Sequence, residues 1–211
     1  MITIRQALAR SRDLEAESDT PKLDVEVLLA EVLKQDKTYL YTWPERELTC
    51  EQQEGFEQLV SQRAQGVPTA HLLGTREFWS LTLEVSKDTL IPRPETELLV
   101  EIATGLLDPD TERRIVDLGT GTGAVALAIA SERPVWQVIA VDKGSEIVKL
   151  AERNRDNLGL NNVLCVVSDW CHNVPIYDFD LIVSNPPYVR SDDPHLVSGD
   201  VRFEPKSALV A

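Results

Sequence analysis

Two short stretches carry the residues that could do chemistry. The first is Asp117-Leu118-Gly119-Thr120-Gly121-Thr122-Gly123, an acid followed by three alternating glycines at the end of the apolar run Ile115-Val116. The second is Asn185-Pro186-Pro187-Tyr188, at the end of the apolar run 179–184. A strand that runs into a glycine turn and a helix N-terminus offers open space and unpaired N–H groups to a ligand that must approach the backbone. A strand that ends in asparagine delivers a carboxamide to the same sheet edge. Together they point to chemistry on an amino group with a ribose-bearing cofactor.

The glycine turn alone leaves two cofactors open, because Gly119-Thr120-Gly121-Thr122-Gly123-Ala124 also satisfies the G-x-G-x-x-A form of a dinucleotide fingerprint. Asp142, closing the run 138–141, suits ribose hydroxyls in either case. Asp117 and the Ser168-Asp169-Trp170 step separate the two. A free α-amino group can use an acid at 117, while Asp169 and Trp170 can meet an adenine by a polar contact and by ring packing.

These residues need a parallel α/β frame. After Pro109 the pattern alternates: strand 114–118, helix 124–131, strand 137–141, helix 147–158, strand 163–167 and strand 179–184. The strands are short, apolar and rich in Val and Ile, as expected when helices cover both faces. The expected fold is doubly wound α/β, a mostly parallel Rossmann-like sheet. Ahead of it, Thr3 opens a helical stripe over 3–16. Pro21 starts another with Leu23, Val27, Leu28, Val32 and Leu33, and Thr49-Cys50-Glu51-Gln52 has capping-box form before Phe56, Leu59, Val60 and Ala64. Phe78, Leu81, Leu83 and Val85 then alternate with polar residues, which reads as a β-hairpin. Pro94 suits the first turn of a helix carrying Leu98, Leu99, Ile102, Leu106 and Leu107. The expected organisation is a helical domain over 1–74, a hairpin linker over 75–93 and a cofactor-binding domain over 94–211.

Composition narrows the partners. The 211 residues are 43% hydrophobic, enough for a packed core, and carry a formal charge of −14. Residues 1–90 hold 10 basic and 16 acidic side chains, and residues 91–211 hold 11 and 19, so neither half hides a basic footprint for nucleic acid. Cys50, Cys165 and Cys171 have no metal-ligand spacing, and neither do His71, His172 and His195; no metal is expected. No stretch nears the ~20 apolar residues of a membrane span, and the expected location is the cytoplasm.

Asp-x-Gly-x-Gly-x-Gly at 117–123, the acid at 142 and Asn-Pro-Pro-Tyr at 185–188 resemble class I S-adenosylmethionine methyltransferases that modify amino groups. With Ile91-Pro92-Arg93-Pro94-Glu95-Thr96-Glu97 and Asp200-Val201-Arg202-Phe203-Glu204-Pro205, the chain resembles the peptide chain release factor glutamine methyltransferase family along essentially its whole length. The resemblance implies S-adenosyl-L-methionine as cofactor, held by Asp117, Gly119, Thr120, Gly121, Thr122, Gly123, Asp142, Asp169, Trp170 and Asn185. It implies a helical domain that helps bind a release factor, and as target the glutamine of that factor's Gly-Gly-Gln loop. In the family pattern the Asn185 side-chain oxygen and the Pro186 carbonyl accept the two hydrogens of the substrate amide, Pro187 stiffens the loop and Tyr188 packs on the amide. Arg202 and Glu204 match the pattern without an evident role. A monomer is expected for the full-length protein.

The family continues past the point where this chain stops, so the sheet is expected to lack C-terminal strands, leaving 179–184 near an unprotected edge. Three other functions compete. A nucleic-acid adenine amino methyltransferase shares Asn-Pro-Pro-Tyr but meets net acidic charge here. A dinucleotide oxidoreductase needs a proton donor that the sequence does not offer. An inactive, truncated binding module would follow from the shortened sheet.

Overall fold

Helix starts fall where the capping residues put them. Thr3 Oγ1 accepts the Gln6 N–H at 3.2 Å and Gln6 Oε1 accepts the Thr3 N–H at 2.9 Å, opening α1 (Ile4–Leu8). The computed structural model describes residues 1–175 and 178–211. The stripe expected as one helix over 3–16 tightens after α1 into a 3-10 turn over Ala9–Leu14. Pro21 heads α2 (Pro21–Leu33), which stops at Lys34 in the left-handed region. Asp36 caps α3 (Lys37–Thr42), Thr49 and Gln52 form the capping box of α4 (Cys50–Arg63), and α5 (Thr69–Leu73) follows. The short α3 and α5 lie outside the stripes visible in the sequence; one turn and a half gives too few apolar repeats to register.

Met1–Leu73 and Pro194–Phe203 make one compact unit; Gly74–Asp193 and Glu204–Ala211 make the other. The first buries Ile4, Leu14, Val25, Leu28, Leu29, Leu40, Phe56 and Val60 around one core. Beside that core, the Arg63 Nε donates to buried Asp24 at 2.6 Å, and Asp24 also accepts the Ser18 and Thr69 hydroxyls. Arg63 Nη2 reaches Asp200 at 3.2 Å, and Arg202 donates to Glu17 at 2.8 Å and to the Gln65 carbonyl at 3.0 Å. These ion pairs hold segment 194–203 in the helical unit. Nothing in local sequence pattern signals that return.

The second unit begins with a hairpin, β1 (Thr75–Phe78) antiparallel to β2 (Leu81–Glu84). Its turn residues, Trp79 and Ser80, both have positive φ, 52° and 60°. That geometry matches strand twist but normally favours Asn or Gly; here the Trp79 N–H is fixed by Glu97 Oε1 at 3.0 Å. A 3-10 turn over Pro94–Thr96 leads into α6 (Glu97–Leu106). This helix buries Val100, Ala103 and Thr104, whereas Leu98, Ile102 and Leu106 form an exposed stripe on its other side.

Then come β3 (Arg114–Leu118), α7 (Ala124–Glu132), β4 (Gln137–Asp142), α8 (Ser145–Leu158), β5 (Val163–Val167), β6 (Leu181–Ser184) and α9 (Lys206–Leu209). The strands pair in the order β5-β4-β3-β6, all parallel, with β6 at one edge among the described residues. One face packs Ile115, Val138 and Ala140 under α7 and α8; the other holds Val116, Leu118, Ile139, Val141 and Val174. The chain runs outward from β3 through β4 to β5, then crosses back to β6 on the other side. Such a reversal opens a crevice at the C-terminal ends of the strands. Leu118 is in register with Val141 and with Ser184, so the next residue of each strand, Gly119, Asp142 and Asn185, reaches that crevice at one level.

Candidate active site

The crevice is a cavity of ≈ 520 Å³, within the range of small-molecule sites. Its wall includes Asp117, Gly119, Thr120, Gly121, Thr122, Asp142, Asp169, Trp170, Asn185, Pro186 and Pro187. It therefore gathers nearly every residue singled out in the sequence. Gly123 and Tyr188 are the exceptions. Gly123, at φ 87°, caps α7, and a Cβ there would lie 3.0 Å from Leu127 and 3.3 Å from Ala151, so this glycine serves close packing. Tyr188 is 78% exposed and is not among the lining residues.

The glycine turn gives space instead of donors. The N–H groups of Gly119 and Thr120 both go to the Val141 carbonyl at 2.9 Å, that of Gly121 to Asp142 Oδ2 at 3.1 Å and that of Gly123 to the Thr120 carbonyl at 2.9 Å. Four of the N–H groups expected to be unpaired are thus already used, because the turn folds back on the end of β4. Gly119 and Gly121 have φ of 77° and 57°, and a Cβ on either would meet no atom within 4 Å. Both line the cavity, so their missing side chains leave room at its floor.

Asp117 lies 2% exposed beneath this floor. It accepts the Thr120 hydroxyl at 2.6 Å and an N–H from Ala126 in the first turn of α7. Burial pushes its carboxyl up to about 6, the two hydrogen bonds oppose that rise, and the Asp142 charge adds to it. Because the folded value exceeds the ordinary 3.8, this group's contribution to stability is full below about pH 4 and is lost as pH rises through about 6. Asp117→Asn, which removes the buried charge, is expected to gain stability relative to the parent between pH 4 and pH 8 by up to about 3 kcal/mol. Urea unfolding of both proteins at the two pH values checks this; a difference that is flat with pH would refute the assignment.

Asp142 sits beside the turn with Oδ2 on Gly121 and Oδ1 on the Gly144 N–H, both at 3.1 Å. On the far side, Asn185 Nδ2 donates to Thr96 Oγ1 at 3.4 Å, and Ser184 Oγ donates to the Leu118 carbonyl at 2.7 Å. Arg93, next to Thr96 on the same wall, pairs with Glu204 at 2.5 Å; the Glu204 side chain is fully buried and also accepts the Ile91 N–H. Past Glu204 the chain returns along the cavity, where the Val189 N–H donates to Leu209 at 2.8 Å and Ser207, Ala208 and Val210 join the lining.

Sequence reasoning gave no role to three of these positions. Thr96, Glu204 and Asn154 act across the chain, and only the matched stretches 91–97 and 200–205 hinted at two of them. Asn154, 1% exposed, accepts the Glu84 N–H at 2.7 Å and donates to the carbonyls of Glu84 and Thr122, at 3.0 and 2.9 Å. It thereby clamps the hairpin to the glycine turn.

The cavity suits one of the two cofactor candidates. The acids Asp117, Asp142 and Asp169 line it, against Lys143 and the already paired Arg93. A pyrophosphate would find repulsion, with the Gly119, Thr120, Gly121 and Gly123 amides already taken; a ribose, an ammonium and a sulfonium find acceptors and negative charge. Fold and cavity together define a class I methyltransferase, with S-adenosyl-L-methionine as its cofactor. Comparison with known proteins adds the family. Residues 6–74 match the PrmC N-terminal domain and residues 94–198 the methyltransferase small domain. The release factor glutamine methyltransferase of Shewanella oneidensis is 56% identical over 198 residues, covering 94% of this chain and 69% of that one. Its Escherichia coli namesake is 50% identical over 208 residues, covering 99% and 73%, and that of Pseudomonas aeruginosa is 53% identical over 195, covering 92% and 70%. The chain belongs to the release factor glutamine methyltransferase family. Among the described residues, no helix is long and apolar enough to cross a membrane.

Proposed function

We propose that this protein methylates the side-chain amide nitrogen of the glutamine in the Gly-Gly-Gln loop of peptide chain release factors. The observation that carries the reading is that Asn185, Pro186 and Pro187 line the same cavity as Gly119, Gly121 and Asp142. A donor held by one wall faces an acceptor held by the other. When bound, S-adenosyl-L-methionine would supply an electrophilic methyl group on a sulfonium, with a neutral thioether as the leaving group.

The work left to the chain is orientation. An amide nitrogen is a weak nucleophile because its lone pair is delocalised into the carbonyl. The Asn185 oxygen and the Pro186 carbonyl accept its two hydrogens and turn the nitrogen toward the methyl group. Both prolines lack an N–H, so they offer no donor against the incoming NH₂, and their fixed φ holds the loop before substrate arrives. Asp142 would take the ribose hydroxyls, Asp117 would answer the α-amino charge directly or through water, and Asp169 and Trp170 would border the adenine. Gly119 and Gly121 leave the space. Positioning of this kind can lower a barrier by up to about 7–11 kcal/mol. The released proton passes to solvent, and no dedicated general base is needed. The helical residues 1–74 help place the release factor. With −14 net charge, nucleic acid is repelled overall.

Radiolabelled methyl transfer tests the acceptor. Label is expected on a release factor and lost when its loop glutamine is changed to alanine. Label on adenine-containing DNA or RNA, or undiminished label on the alanine variant, would overturn the substrate while leaving the cofactor standing.

A further inference from the structure

The turn at 91–97 looks from sequence like a stiff connector, since two prolines force its path. Its polar side chains do more than that. Arg93 pairs with fully buried Glu204, Thr96 accepts from Asn185, and Glu97 fixes the hairpin turn through the Trp79 N–H at 3.0 Å. Thr96 is also held through its backbone, its N–H going to the Arg93 carbonyl at 3.0 Å. Both Thr96 and Asn185 line the cavity.

A carboxamide is planar, with oxygen and nitrogen on opposite branches, and the two can exchange places by a simple flip. With Nδ2 directed at the Thr96 hydroxyl, 3.4 Å away, the branch turned to a substrate N–H is Oδ1. In the flipped form an NH₂ group would face the NH₂ of the acceptor, donor against donor, and only the Pro186 carbonyl would be left to accept; the Thr96 hydroxyl, which both donates and accepts, holds either form. The hydroxyl 89 positions upstream of Asn185 therefore bears on where the carboxamide sits, not on which of its branches turns inward.

We propose that Thr96 is a positioning residue for methyl transfer, holding the Asn185 side chain at the cavity wall where its carboxamide can meet the acceptor. The inference rests on the role given above to Asn185. It applies to any acceptor that presents an NH₂ group, and Glu204, through Arg93, anchors the turn from which Thr96 acts.

Thr96→Val keeps the branched shape and removes the hydroxyl; Thr96→Ser keeps the hydroxyl. In the full chain, with a release factor as acceptor, the valine variant is expected to lose about tenfold in kcat, the scale of one net hydrogen bond. S-Adenosylhomocysteine affinity should stay within about twofold by calorimetry, since the cofactor wall is unchanged. Serine should recover most of the lost kcat, and Thr96→Val added to Asn185→Ala should cost little more than Asn185→Ala alone, because a residue acting through a partner has nothing to lose once the partner is gone. An unchanged kcat in Thr96→Val, a serine variant as impaired as the valine one, or additive losses in the double variant would each overturn the proposal. If Asn185→Ala itself transfers methyl normally, the fault lies with the role of Asn185, and that single variant distinguishes the two failures.

Discussion

Replacing Asn185 by alanine is expected to lower methyl transfer to a release factor by roughly 100- to 1000-fold, the loss typical when one preorganised hydrogen-bonding group is removed from a reacting centre. The affinity for S-adenosylhomocysteine should change by no more than about threefold. The physical ground is a separation of duties along one sheet edge. Asn185 follows β6, on one side of β3, and its contact within the protein is to Thr96. The glycine turn follows β3 itself, and its amides are satisfied by Val141, Asp142 and Thr120 without help from Asn185. Truncation at 185 thus leaves the cofactor wall intact and removes an acceptor for the substrate N–H together with the contact to Thr96. Single-turnover transfer with saturating cofactor reads the chemical step directly. A normal rate there, or a cofactor affinity that collapses with the rate, would dissolve the distinction between the two walls.

How much of this was legible in the sequence depends on the range over which each feature acts. The parallel strands were readable because a run such as 163–167 is apolar throughout, and β5 occupies those residues. Asp117, the glycines and Asp142 announced a crevice because each closes or follows a strand, and strand ends are where parallel sheets hold ligands. The reading failed where one pattern allows two physical causes. Gly121 and Gly123 look alike in the run, yet one leaves space in the cavity and the other keeps α7 from striking α8. The amides of the turn looked available because nothing local shows that Val141, on another strand, takes two of them. On α6 the expected stripe holds for Leu99 and Leu107, which pack against the core, but Leu98, Ile102 and Leu106 are exposed and the fully buried positions are the smaller Val100 and Ala103. Partners such as Arg93 with Glu204, or Asn154 with Glu84 and Thr122, lie from 32 to 111 positions apart, and no periodicity links them.

Asp142→Ala is expected to give the opposite result from Asn185→Ala. A carboxylate offers about four lone-pair sites. Two are occupied here, one by the Gly121 N–H and one by the Gly144 N–H, each at 3.1 Å. The other two match the two hydroxyls of a ribose. Each such hydrogen bond to a charged acceptor contributes about 1.5–3 kcal/mol, so losing both should weaken S-adenosylhomocysteine binding by about 100-fold or more. Removal also frees the Gly121 amide, which loosens the turn that makes room for the ligand and adds to the loss. Asp142→Asn should not restore affinity, because one branch of its carboxamide donates and would face an N–H where the carboxylate now accepts. Raising the cofactor concentration should bring the alanine variant back toward the parental rate, a recovery that Asn185→Ala cannot show at any concentration. Calorimetric titration together with rate against cofactor concentration measures both quantities, and thermal unfolding checks that each variant is folded. An Asp142→Ala protein that is folded and binds S-adenosylhomocysteine within about threefold of the parent would remove this carboxylate from the ribose site and leave the glycine turn without its proposed partner.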